Sequence, residues 1–257
     1  MSKINDSTLK FQVGDVNFSM VYVEGGTFKM GAQEENHTAP NYDDEATDCE
    51  SPVHDVILSS YYIGETTVTQ ALWKSVMGTT VKHQQGKAFI PRPLCGENDE
   101  CPMYYVFYED VISFIKKLNN KTNYTFRLPT EAEWEFAARG GNRSCGYKYS
   151  GSNNIDDVAW YDKNSNKTVH PVKCKNANEL GLYDMSGNVW ELCSDWYGRY
   201  DSEEQTNPLG PNHGPFRVWR GGSFFNWEWN CRVSHRHGTH SRRSNCGFRL
   251  VLPVFAS

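Results

Sequence analysis

At 257 residues, with 26 basic and 31 acidic side chains and a net charge of −5, the chain is long enough to bury a substantial core without covalent staples. It carries no Lys/Arg run able to track a phosphate backbone, so nucleic acid is not an expected partner. Its apolar runs fall well short of the roughly 18 residues a membrane span needs, and no apolar leader follows Met1. The polar opening, MSKINDSTLK, fits either a cytosolic start or one from which a signal has been removed. Gly, Pro, Asn and Ser are spread evenly with no linker-like segment, which predicts a single domain across 1–257. The eight cysteines (49, 95, 101, 145, 174, 193, 231 and 246) are many for a cytosolic protein yet too few for a disulfide scaffold. A Cys95–Cys101 loop and a Cys231–Cys246 bridge are permitted. No CxxC pair occurs, so a structural zinc site is not expected.

In chain order, residues 18–31 read as two short strands around the Gly25-Gly26 turn, and 51–64 as a further extended run ended by Gly64. The acidic stretch between them, residues 32–50, reads as a solvated loop. A helix starts at Thr67 or Thr69 and stops at Gly78. Residues 106–120 place Phe107, Val111, Phe114, Ile115 and Leu118 on one helical face, which predicts a core-facing stripe. In RLPTEAEWEFAARGG, Thr130 and Glu133 form a capping box and Gly140 closes the helix. Glu131, Glu133 and Glu135 then serve the helix dipole rather than catalysis. Beyond Gly140 periodicity fades, leaving strand-like pieces GLYDM, NVWELCSDW, RVWRGGSF and FRLVLPVF in an aromatic-rich, irregular background.

MVYVEGGTFKMG, YYIGETTVTQALWKSVMG, RLPTEAEWEFAARGG, NELGLYDMSGNVWELCSDWYG, RVWRGGSF and NCGFRLV, in that order over residues 20–252, resemble the signature blocks of the formylglycine-generating enzyme (sulfatase-modifying factor) family. The resemblance implies an α+β chain with an elaborated C-type lectin fold: a small antiparallel sheet, flanking helices and much irregular structure. In the family's enzymes two cysteines five residues apart, shortly after Gly-Gly-Ser, hold copper. Counted from Gly221-Gly222-Ser223, those positions fall on Asn226 and Cys231. A lone thiol cannot supply a two-thiolate copper site, so no catalytic residue and no catalytic cofactor are expected. An oxidase working through Cys231 is the alternative, and a generic accessory domain a second one. The iron-dependent branch sets a histidine triad beside a separate helical domain that this length does not accommodate. The resemblance also implies a structural calcium held by Asp184, Gly187, Val189 and Glu191, since hard cations want converging oxygens.

In residues 221–251 the positions between the fixed Arg and Gly residues hold Phe225, Asn226, Ser234, His235, His237, Gly238, Thr239, His240, Ser244, Asn245 and Cys246. Each type is reachable from an asparagine codon by changing adenines alone. Lys, Gln and Met, which that route cannot give, are absent from residue 221 onward. The pattern is similar to the variable proteins of diversity-generating retroelements, in particular the formylglycine-enzyme-like type known from treponemes. It implies a display protein, monomeric and at the cell surface or outside the cell, that binds a protein or glycan ligand. Phe225, Asn226, Trp227, Trp229, Ser234, His235, His237, Thr239, His240, Ser244 and Asn245 are its expected ligand-binding residues. Trp227 and Trp229 alternate and fit either a ligand anchor or the core. His235-x-His237 lacks an acidic orienting partner, so surface contact is expected rather than metal binding. Arg232, Arg236, Arg242, Arg243 and Arg249 either pair with core carboxylates or draw an anionic ligand. A membrane link would come only through a lipid anchor ahead of Ser2.

Overall fold

Gly14, at φ 59° where side-chain-bearing residues are strained, turns strand β1 (Thr8–Val13) back onto β2 (Val16–Val23), with Val13 opposite Val16. This is the start of the computed structural model, which describes residues 7–239 and 244–254. The predicted turn at Gly25-Gly26 is not formed: Gly26 already begins the next strand, and the strands on the two sides of Gly25 join different sheets. β2 pairs with β5 (Tyr61–Gly64), which pairs in turn with β11 (Val251–Pro253), giving the order β1-β2-β5-β11. β3 (Gly26–Met30) pairs instead with β4 (His54–Leu58), and the short β7 (Gln205–Thr206) completes that sheet. Gly25 permits the divergence, because a Cβ there would lie 2.4 Å from the Leu58 carbonyl oxygen.

The third sheet carries the C-terminal half. β6 (Trp190–Trp196) lies between β10 (Cys246–Phe248) and β8 (Arg217–Arg220), and β9 (Arg236–Thr239) closes the other edge. β10 runs parallel to β6 while β8 and β9 are antiparallel neighbours. Residues 181–185, expected as a strand, form turns instead. Asp184 and Asn188 sit in the left-handed region (φ 58° and 60°), which no strand tolerates.

The helices follow their caps. Thr69 Oγ1 accepts the Leu72 amide at 3.3 Å to open α1 (Gln70–Met77), and Gly78 ends it at φ 71°. A short α2 (Val81–Gln85) follows. In α3 (Tyr108–Thr122), Val111, Phe114, Ile115 and Leu118 are buried as predicted, while Phe107 is the N-cap and only partly covered. Trp73 of α1 stacks on Phe114 with ring centroids 5.3 Å apart, joining the two helices in the larger core. In α4 (Glu131–Ala138) the expected capping box is made: Glu133 donates its amide to Thr130 Oγ1 at 3.1 Å, and Glu133 Oε2 accepts the Thr130 amide at 2.9 Å. The one-turn α5 (Ile155–Val158) was too short to show a period.

All eight residues of α4 are buried, so Glu131 and Glu135 are interior charges and not the dipole-facing surface carboxylates expected. They are met by arginines. Arg220 reaches Glu135 at 2.5 Å and Glu131 at 3.2 Å, Arg236 reaches Glu131 at 2.6 Å, and Arg139 reaches Glu135 at 2.8 Å. The loop 32–50 is likewise more than a solvated connection. Its Glu50, fully buried, receives Arg232 at 2.7 Å, and its Asp43 receives the same guanidinium at 2.8 Å.

Burial alone would raise the pKa of Glu50 and Glu131. The nearby His235 ring and the Arg232 guanidinium, which is hydrogen-bonded to both its oxygens, hold Glu50 well below its ordinary 4.5, and the charges of Arg236 and Arg220 hold Glu131 below it too. With folded values below the unfolded ones, the unfolded chain takes up protons first. This stability is present above about pH 4.5 and is lost as pH falls below it. Urea unfolding between pH 7 and 3 is expected to show that loss. Glu131→Ala, which strands two buried guanidinium groups, is expected to cost about 3–5 kcal/mol at pH 7 and to flatten the acid limb.

Candidate functional site

The chain leaves β8 through Gly221 and Gly222, at φ 91° and 71°. A Cβ on Gly222 would lie 2.7 Å from Cys231 Sγ and one on Gly221 would lie 2.9 Å from the Met185 carbonyl oxygen, so the pair is needed for close approach as well as for the turn. Phe224 then dives into the core, while Ser223 Oγ, Asn226 and Asn245 form a small polar knot. Trp190 Nε1 donates to Asn226 Oδ1 at 2.8 Å, Asn245 Nδ2 donates to Ser223 Oγ at 2.8 Å, and Ser223 Oγ also bonds Asn226 Oδ1. A single 3-10 turn, Glu228–Cys231, buries the Cys231 sulfur.

Arg232 and Arg236 fasten the next stretch from below. The Arg236 guanidinium lies 4.0 Å from the ring centroid of Tyr200 and 4.7 Å from that of Tyr197, and its NH1 donates to the carbonyl oxygens of Cys49 and Gly198. Alternation along β9 then turns His237 to the opposite face, where it is exposed with its ring 5.8 Å from that of Trp190.

What remains outside is an aromatic patch. Phe225 is 51% exposed, Trp227 64% and Trp229 36%. The two tryptophans meet edge to face at 6.4 Å, and Trp229 stands 5.2 Å from the His235 ring beneath it. The choice left open for Trp227 and Trp229 is therefore decided for the surface.

Of the other expected contact residues, Asn226, Asn245 and Ser244 are half-buried, the first two tied into the knot. Ser234 and His235 are corrections: both are interior, at 2% and 7% exposure. Ser234 Oγ accepts from Arg232 at 3.0 Å. His235 Nδ1 lies 3.4 Å from Glu50 Oε1, yet burial lowers the imidazole pKa below its ordinary value, so the ring is a neutral spacer under the patch. The Thr239 side chain, His240, Arg242 and Arg243 lie outside the described residues. The carboxylates that receive Arg220 and Arg236 were missed in the sequence. Their signal is the i, i+4 pair Glu131 and Glu135 in a helix whose other residues, Glu133 apart, are apolar, which needs interior cations.

The calcium expectation does not fit the residues present. Glu191 is fully engaged: Arg249 donates to Oε1 at 2.7 Å and to Oε2 at 2.9 Å, and Trp134 Nε1 donates to Oε2 at 2.8 Å. Asp184 accepts the Lys173 amide at 3.0 Å and Asn188 Nδ2 at 3.2 Å, and burial raises its pKa. Val189 is buried, and the Gly187 amide donates to the Gly221 carbonyl oxygen. The guanidinium of Arg249 thus supplies the positive charge that Glu191 would otherwise take from a cation. Among the described residues no group of three His, Cys, Asp or Glu converges on a metal position.

All eight cysteines are free, so neither permitted disulfide is formed. At the two positions that hold copper in the enzymes the resemblance points to, Asn226 is a hydrogen-bonding residue and Cys231 a thiol pushed up to about 12 by burial, with Asp162 adding to the shift.

The sheet order, the caps and the loop-rich C-terminal half define the formylglycine-generating-enzyme type of C-type-lectin-like fold. The chain belongs to the sulfatase-modifying factor enzyme 1-like domain family, whose profile matches residues 10–254. A solved structure of Treponema denticola variable protein 1 superimposes with a TM-score of 0.80 at 32% identity, covering 96% of this chain and 99% of that one. In sequence, the chaperone protein LppX of Paenibacillus barcinonensis is 34% identical over 74% of this chain and 76% of its own length. The formylglycine-generating enzyme of Streptomyces coelicolor is 30% identical over 90% of this chain and 88% of its own. The family therefore includes enzymes as well as a variable protein.

Alkylation tests the thiol environment. Iodoacetamide at pH 8 is expected to label exposed Cys145 and Cys174 in the folded protein and to leave Cys231 unmodified until denaturant is added, as read by peptide mass spectrometry.

Proposed function

We propose that this chain is a noncatalytic display protein, a single domain whose segment 221–251 binds a protein or glycan ligand outside the cell and is diversified by adenine-directed mutagenesis. The observation that carries this reading is the exposure of Phe225, Trp227 and Trp229 on a segment whose Arg232 and Arg236 are locked into the interior. Contiguous exposed aromatics on an otherwise polar surface mark interaction sites. Tyr, Trp, His, Ser and Asn suit a recognition surface because they give contact area at low rotamer cost together with adaptable hydrogen bonds. With Ser234 and His235 interior, the contact set narrows to Phe225, Trp227, Trp229 and His237, edged by Asn226, Ser244 and Asn245.

The similarity to Treponema denticola variable protein 1 supports this reading, and the similarity to a formylglycine-generating enzyme supports an alternative in which the chain oxidises peptide cysteine. The two make opposite predictions. Oxygen consumption with a cysteine-containing peptide and copper is expected to stay at background, and thiol-dependent turnover lost in Cys231→Ala would establish the oxidase.

Three measurements test display. Sequencing the 3′ end of the gene across isolates is expected to show differences confined to adenines of a template copy and falling on codons 225–246, whereas uniform sequence there overturns the proposal. Trp227→Ala and Phe225→Ser are expected to change stability by no more than about 0.5 kcal/mol. A surface-displayed library randomised at 225, 227, 229 and 237 is expected to remain folded and yield binders to unrelated proteins, and the same randomisation at 232, 234, 235 and 236 to lose the fold.

A further inference from the structure

A second concavity lies on the side of β9 toward which Arg236 points, away from His237. It is a cleft of about 430 Å³ between the start of α4, the end of β6 and the loop 198–211, within the size range of small-molecule sites. The aromatic patch contributes nothing to it. Its floor carries His54, Glu131, Asp195, Tyr200 and Arg236, and Met30 and Leu209 supply apolar wall. Leu209, at 73% exposure, is among the most exposed large apolar side chains described.

Most of the polar capacity of the floor is already used. Arg236 donates to both oxygens of Glu131 and to two backbone carbonyls, and Tyr200 donates its hydroxyl to Glu131 Oε1 at 3.1 Å. Two acceptors are left over. His54 is 3% exposed, and its Nδ1 lies 3.0 Å from the Pro52 carbonyl oxygen. Nδ1 therefore carries the proton and Nε2 is an acceptor, with no protein partner among the described residues. Asp195, 4% exposed, accepts the Glu131 amide and the Ser194 hydroxyl through Oδ2, each at 3.0 Å, while Oδ1 has no such partner. Gly210 keeps the approach narrow but open: a Cβ there would lie 3.1 Å from Oδ1. Neither atom is among the side-chain polar atoms sealed from solvent without a partner, so each is accessible and can receive a donor from a ligand in the cleft.

We propose that this cleft binds an aliphatic ammonium ligand, its charge against Asp195, a second donor to His54 Nε2 where the ligand has one, and its methylenes against Met30 and Leu209. Free alkylamines and lysine side chains share this chemistry. The two guanidinium groups nearest Glu131, those of Arg236 and Arg220, are consumed by Glu131 and Glu135, and Arg127 by Glu133, while the remaining charged lining residues, Arg199 and Asp201, are exposed and opposite in sign. The same surroundings make binding pH-dependent. Burial, then the charge of Glu131 and more weakly that of Glu133, push the Asp195 carboxyl up to about 7, against the Glu131 amide and the Ser194 hydroxyl, which favour the ionised form. An ammonium group adds the missing positive charge and draws that value down. Affinity therefore rises with pH.

The probes are n-butylammonium, Nα-acetyl-lysine methylamide and, as the uncharged control, n-butanol, titrated into the full chain by NMR with the Asp195 carboxyl carbon and the His54 ring observed. Saturable binding by at least one ammonium probe is expected, with affinity rising about tenfold from pH 6 to pH 8 as the carboxyl ionises. The Asp195 titration midpoint is expected to move down, and n-butanol to bind at least tenfold more weakly. The better of the two ammonium probes identifies the source as free amine or lysine side chain. Asp195→Asn keeps the cap to Glu131 and is expected to remove the pH dependence. No shift at Asp195 or His54 with either ammonium probe, or equal affinity in Asp195→Asn, overturns the proposal, and because Asp195 is observed in the unaltered protein the test does not depend on the variant folding.

Discussion

Four interior guanidinium groups, those of Arg220, Arg232, Arg236 and Arg249, fix the C-terminal third of this protein, and each is exposed by no more than 3%. Removing a guanidinium from water costs several kcal/mol unless its donors are met in kind. Here they are met by Glu131, Glu135, Glu50 and Glu191, with backbone carbonyls taking up remaining donors. Glu50, Glu131 and Glu135 come from the first part of the chain, so their pairs tie a late segment to an early one, while Glu191 ties Arg249 to β6 within the C-terminal third. Bidentate geometry sets direction as well as distance, and the backbone between the arginines is held with little help from a hydrophobic period.

That arrangement separates two tasks that most loops mix. Arg232, Ser234, His235 and Arg236 look inward and keep the chain in place. The side chains of Phe225, Trp227, Trp229 and His237 look outward, and of Trp229 it is the backbone carbonyl oxygen that joins a clamp, accepting from Arg232 Nε at 3.0 Å. The same division explains why the positions that carry a cysteine pair in formylglycine-generating chemistry can hold Asn226 and Cys231. Asn226 ties Trp190 to Ser223, and Cys231 fills the space that Gly222 leaves bare. Both residues serve the scaffold beneath the patch.

Where the chain is periodic or capped, it was legible. The caps at Thr69 and Thr130 and the stripe from Val111 to Leu118 stand where their local physics puts them. The family was legible too, because its blocks recur in order along nearly the whole length. What could not be read were partners distant in sequence. Glu50 looked like one charge in a solvated loop and Glu131 like a cap residue, since nothing local says that Arg232 and Arg236 will arrive 182 and 105 residues later. Ser234 and His235 were placed on the surface for a related reason: an irregular segment has no period from which to assign in and out. The calcium expectation carried over a donor set without the cation that Glu191 already holds, the guanidinium of Arg249.

The topology of the third sheet adds a thermodynamic consequence. β8 and β10 flank the same strand, β6, so the segment that leaves one and enters the other has both ends tethered to a common support. For the described residues 221–239 of that segment, configurational entropy is surrendered when the domain folds. A patch carried in this way behaves as a preformed surface, and changing its side chains alters complementarity without reopening the cost of ordering the loop. Differences in affinity among such surfaces would then arise chiefly from how long a complex survives once formed, with encounter rates nearly constant from one sequence to the next.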